Sequence, residues 1–184
     1  MRHAIADRLL LFYLACFCGW LWEVLIFWIL QDFSIPLAEL LLVYRGVLHG
    51  PWTPIYGVGC MLLLFLYEVL HRDIRRFIPT SLLACSVVEY GTSWILETVF
   101  HAKWWDYSEM FLNLQGRICL FSVITFTLIG FWTVHTAVPW ILKHISRMPF
   151  RIRFLLCFSL TLLFLPDVLY ALVQPNLGLG VLTV

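Results

Sequence analysis

The chain has 184 residues, 62% of them hydrophobic and only 12% charged, with a mean hydropathy of +0.90 and a net charge of +1. Soluble domains carry about 25% charged residues, so this composition leaves too little polar surface to face water and excludes an ordinary soluble domain. The near-neutral balance also excludes the basic surface that attracts nucleic acid, and the implied fold class is all-α, a polytopic membrane helix bundle forming a single transmembrane domain over residues 1–184.

A helix needs about 20 mainly apolar residues to cross the hydrocarbon core. Apolar runs near 9–30, 54–70, 78–100, 118–142 and 154–173 predict about five transmembrane helices. The first follows Arg2 and Arg8, is too long for a signal-peptide core and lacks an A-x-A pattern after it, so it reads as a retained span. Ile35 to Tyr44 is too short to span and reads as an interfacial or re-entrant helix. The stretch from Arg45 to Gly59 holds four glycines and two prolines, which disfavours a continuous helix. It is either an external loop or a re-entrant part of a site, expected to be ordered against spans one and three, with Pro51 or Pro54 in the first turn of span two. Late in span five, Pro166 before Asp167 suggests a broken helix end.

Loop charge sets orientation. Arg2, Arg8, Arg72, Arg75, Arg76, Lys143, Arg147, Arg151 and Arg153 fall on one side of a five-span arrangement, and Arg45, Lys103 and Arg117 on the other. Nine against three predicts a cytoplasmic N-terminus and an outward C-terminus. The six cysteines form no CxxC pair and mostly lie in apolar runs, where reduced cysteine acts as a small hydrophobe.

Ionisable groups inside spans are expensive and are functional candidates. Glu23, Glu89 and Glu97 qualify, and Glu89, Ser93 and Glu97 share one helix face at steps of four. At about 1.5 Å per residue, Glu89 lies roughly 15 Å from the cytoplasmic end, Glu23 roughly 20 Å and Glu97 roughly 27 Å. Arg45, His49, Asp106 and Arg117 belong to the outer connections. Glu23, Arg45, His49, Glu97, Asp106 and Arg117 therefore occupy one outward layer, readable as a substrate site with acid, base and anion-binding groups or as ion pairs that fix helix register. His49 could serve as a base or ligand, or simply hydrogen-bond in its loop, and Tyr56 supplies a hydrogen-bonding tip. The aromatics of Trp104-Trp105-Asp106-Tyr107-Ser108 suit an interfacial belt, and Asp106 stands out among them. Glu23, His49, Glu89 and Glu97 match no metal-ligand spacing, so no metal site is expected. There is no P-loop, GxSxG or HExxH.

Several blocks occur in a characteristic order: Gly19-Trp20-x-x-Glu23, Arg45-Gly46-x-x-x-Gly50-Pro51-x-x-Pro54-Ile55-Tyr56-Gly57-x-Gly59, Glu89-x-x-x-Ser93-x-x-x-Glu97, Trp105-Asp106-Tyr107-Ser108, and Asn113-x-x-Gly116-Arg117-Ile118. Over roughly residues 10 to 135 the chain resembles the bacterial family labelled putative ABC-transporter type IV permease, the CmpB-like membrane proteins. The resemblance implies a transporter membrane subunit in the bacterial inner membrane, driven by a separate ATPase. Its expected partners are membrane lipid and that ATPase, with a second copy of the chain left open. Three functions remain: a permease-like protein binding or moving a small or lipid-derived substrate through an outward polar cavity, a membrane-embedded enzyme acting on a lipid or phospho-substrate, and a structural or regulatory subunit.

Overall fold

A computed structural model describes residues 2–43, 46–178 and 181–183. Six helices follow in chain order: α1 (Arg2–Leu30), α2 (Leu37–Val43), α3 (Pro54–Val69), α4 (Ile74–Phe100), α5 (Leu120–Arg147) and α6 (Phe150–Val173). Four two-residue strands, β1 (Ala102–Lys103), β2 (Asn113–Leu114), β3 (Ile118–Cys119) and β4 (Leu182–Thr183), form two antiparallel pairs, β1 with β4 and β2 with β3.

Local chemistry sets the boundaries. Proline at the first position opens α3, where its missing N–H has no helical partner to lose. Asp73 caps α4 by accepting from the Arg75 amide at 3.0 Å, and left-handed His101 (φ 52°) ends it. Cys119 and Ser122 cap α5 reciprocally. Within α5, Thr133–Ala137 form a π-helical turn, a feature that recurs at functional positions.

Among the described residues, three helices are long and apolar enough to cross a membrane: Ala4–Leu30, Leu120–Arg147 and Phe150–Val173. They match the first, fourth and fifth expected spans and are compatible with an integral membrane protein. Helix α3 is apolar but has 16 residues, about 24 Å at the helical rise. Helix α4 has 27 residues but carries Arg75, Arg76, Glu89 and Glu97. The broken end expected at Pro166 is absent, because α6 continues through it to Val173. Apolar helices tolerate proline where neighbouring groups satisfy the freed backbone.

The chain divides into two compact units, Met1–Gly57 with Met148–Val181, and Val58–Arg147 with Leu182–Val184. In the first, α1 and α6 run parallel. Arg153 pairs with Asp7 at 2.5 Å, Tyr13 and Thr161 share a 2.8 Å hydrogen bond, and Phe12 and Tyr13 meet Phe164 edge to face. Arg153, expected between spans four and five, instead lies buried within α6, where Asp7 neutralises it. The segment before α3 seats Leu48 and Trp52 in a core with Cys16 and Ala171, and the Thr53 amide donates to the Cys16 carbonyl at 3.0 Å. A Cβ at Gly57 would run into Cys16 and Phe12, so only glycine permits that approach. Within its own unit this segment is therefore anchored on spans one and five.

In the second unit α4 and α5 run antiparallel. Phe77 packs on Phe131 near one end, and Glu89 meets Ser122 toward the other. Gly130 admits the Leu63 side chain, bringing the latter part of α3 against α5.

Candidate functional site

Polar chemistry in the first unit gathers around the segment preceding α3. The Tyr56 hydroxyl donates to the Glu23 carboxylate. Gly19, one turn before Glu23, makes this possible, since a Cβ there would collide with the Tyr56 ring. Asp167 of α6 accepts three N–H groups: the His49 amide at 3.0 Å, the Gly50 amide at 2.7 Å and the Trp52 indole at 2.8 Å. Its carboxylate also lies 3.5 Å from His49 Nδ1, and the His49 ring leans on Tyr170. Sequence reasoning left Asp167 out of the site. Its signal was an acid inside an apolar run, the criterion that had selected the glutamates. Arg45 lies outside the described residues.

The second unit holds the other candidates at the C-terminal end of α4. Arg117 donates to Glu97 at 2.6 Å through Nη2 and to Gln115 at 2.5 Å through Nη1, and its guanidinium lies over the Tyr90 ring. Gln115 also accepts from the Tyr90 hydroxyl at 2.7 Å. The Trp105 indole fixes the Arg117 carbonyl at 2.9 Å. Arg117 Nε is buried and has no hydrogen-bond partner among the described residues. A buried donor without an acceptor is costly, about 1–3 kcal/mol, so an acceptor arriving there would be favoured.

Asp106 sits beside this pair without joining it. Its cation is Lys103 at 3.6 Å, and its carboxylate accepts from the Ser108 hydroxyl at 2.5 Å and the Ser108 amide at 2.9 Å. Those bonds, the hydroxyl's first, hold the Asp106 carboxyl below the usual carboxylate range despite some desolvation, with Lys103 acting in the same direction. A carboxylate stabilised in its ionised form is a poor general acid. Gly116 (φ +68°) closes against Asp106 and Ser108, leaving no room for a Cβ.

Glu89 is 4% exposed and accepts from Ser122 at 3.1 Å, with Ser93 buried one turn on along the same face. A further pair escaped the sequence reading: the buried Tyr67 hydroxyl shares a 2.5 Å hydrogen bond with His135 Nδ1 in the π-helical turn. The clue was a histidine within the fourth apolar run. Among the described residues no three His, Cys, Asp or Glu side chains gather as a metal site.

Apart from Arg45, the candidate residues of the outward layer, and Glu89 expected nearer the midplane, each have a local partner. Glu23 with Tyr56, and His49 with Asp167, belong to the first unit; Glu97 with Arg117, Asp106 with Lys103, and Glu89 with Ser122 belong to the second. No curated protein and no solved structure matches the chain. A family model does, over residues 10–172, which span all six helices in whole or in part and every polar pair described except Asp7–Arg153. The chain therefore belongs to the family described as "Putative ABC-transporter type IV".

Proposed function

We propose that the protein is the membrane subunit of a transporter and recognises a small or lipid-derived substrate through an anionic group at Arg117. The observation that carries this reading is the buried Nε–H of Arg117, which has no acceptor among the described residues while both terminal nitrogens are engaged. A carboxylate or phosphate oxygen would take that donor, and a second oxygen could displace Glu97 from Nη2 on the same edge, giving the two-point recognition that guanidinium favours. Glu97 then acts as the resident counter-ion with which the substrate competes. The same reading takes α3 and α4 as the second and third of five spans, with the N-terminus cytoplasmic. The family description supports a separate ATPase as the energy source. Family membership supports the transport class, and Glu89 and Asp106, in the same unit as Arg117, support that site.

The test separates recognition from scaffolding. Binding of inorganic phosphate and of a short-chain phosphatidic acid is measured on protein in lipid nanodiscs. Arg117→Gln is expected to weaken binding at least tenfold, about 1.4 kcal/mol. Glu97→Gln is expected to strengthen it, because the internal competitor is gone. If both variants only lose stability, with no opposite effect on binding, the site is a register-fixing ion pair and the proposal fails.

A further inference from the structure

The connection between α4 and α5 turns back along the helix rather than projecting away from it. Contacts within the second unit measure its position. Arg117 meets Glu97, Gln115 meets Tyr90 at 2.7 Å, and Ser122 in the first turn of α5 meets Glu89 at 3.1 Å. Tyr90 lies ten residues before the end of α4 at Phe100, roughly 15 Å along the axis. The connection thus lies beside the last three turns of α4, and α5 begins beneath it.

Irregular backbone beside lipid must satisfy its own polar groups. Here it does so to an unusual degree for a surface loop. β2 pairs with β3, the Tyr107 amide donates to the Gly116 carbonyl at 2.7 Å, and the Met110 amide to the Tyr107 carbonyl at 2.8 Å. Asn113 works in both directions: its Nδ2 donates to the Ser108 and Met110 carbonyls at 2.9 and 3.0 Å, and its Oδ1 accepts the Gly116 amide at 3.1 Å. Between Met110 and Leu114 the exposed side chains are apolar except Asn113, whose amide is engaged within the loop: Phe111 is 77% exposed, Leu112 65% and Leu114 53%. Leu120 and Phe121, which open α5, continue this exposed apolar character. Four apolar residues in the five from Met110 to Leu114 would be a poor surface for water.

We infer that residues 110–114 are embedded in the bilayer, with Phe111, Leu112 and Leu114 against the acyl chains of the leaflet beside the C-terminal end of α4. The occupant is lipid rather than protein because the loop is continuous with α5, whose exposed apolar faces meet lipid in the membrane reading on which this inference rests. Exposed Glu109 marks the polar edge of the embedded stretch.

The experiment uses the full chain reconstituted in vesicles of phosphatidylethanolamine and phosphatidylglycerol. The photoreactive p-benzoylphenylalanine replaces Phe111 in one protein and Leu112 in another, and products of irradiation are read by intact mass. Adducts of one phospholipid on the monomer are expected from both. A cross-linked dimer would assign the patch to a second copy, and a cross-link to another protein after irradiation in cells would assign it to that partner; either overturns the inference, as does the lack of any lipid adduct. Should the bulky probe disturb folding, Phe111→Cys is treated with a membrane-impermeant maleimide and read at the peptide level. Alkylation at least tenfold slower in vesicles than in the detergent-unfolded protein is expected, and equal rates would overturn the inference. Neither readout depends on anion binding at Arg117, so this inference and the transport proposal fail separately.

Discussion

Removing the carboxylate of Asp167 tests how the segment before α3 is held. Its two oxygens take three N–H groups, one on Oδ1 from His49 and two on Oδ2 from Gly50 and Trp52. Hydrogen bonds to a charged acceptor contribute about 1.5–3 kcal/mol each. Asp167→Asn can keep its oxygen at the Oδ2 position and retain two donors, so it should lose about one such bond. At roughly 2–4 °C per kcal/mol for a chain of this size, that lowers the melting temperature by roughly 3–12 °C. Asp167→Ala strands all three donors, each at about 1–3 kcal/mol, and should be clearly worse than Asn. The assay is thermal unfolding in a single detergent, with amide exchange over residues 46–53 as the local readout. Equal melting temperatures for Ala and Asn, or unchanged exchange across this segment in either, would refute the reasoning.

Three further outcomes follow from the same contacts. Gly19→Ala should lose about 1–3 kcal/mol of stability, because the added methyl meets the Tyr56 ring; a neutral result in thermal unfolding would mean that α1 and Tyr56 are not so close. Arg153→Met should cost about 3–5 kcal/mol by stranding Asp7, and adding Asp7→Asn should recover part of the loss, as read in a double-mutant cycle. Because the Asp106 value is lowered in the folded state, its stabilising effect is complete above the ordinary carboxylate value and fades as pH falls through the lowered one. The stability gap between the wild type and Asp106→Asn should accordingly persist at neutral pH and shrink in acid below about pH 4; a gap independent of pH would contradict the sign.

Apolar run length made the helical class and the three helices long and apolar enough to cross a membrane legible, and the short run at Ile35 to Tyr44 correctly gave a separate short helix. Depth counting along one helix placed Glu97 in a layer with Arg117, and the two do meet. It could not distribute charges among partners, because that depends on which helices pack. Asp7 and Arg153 are 146 residues apart, and Asp167 and His49 are 118 apart, separations at which charge alone selects no partner. Asp106 shows a subtler limit. Its neighbours in sequence, Lys103 and Ser108, satisfy it locally, so proximity to Arg117 in the chain order did not become an ion pair. The π-helical turn at Thr133–Ala137 and the Tyr67–His135 bond likewise arise from packing of α5 and leave only an isolated histidine as a trace in the sequence.

The most direct measurement is an experimental density map of the protein purified with its native lipids, examined at the Arg117 guanidinium. The expected result is non-protein density within hydrogen-bonding distance of Nε and Nη2, consistent with a phosphate or carboxylate group that has displaced Glu97, while Nη1 remains on Gln115. A map in which Nε is bonded to a protein acceptor, with side chains filling the space around it, would contradict substrate recognition at this site.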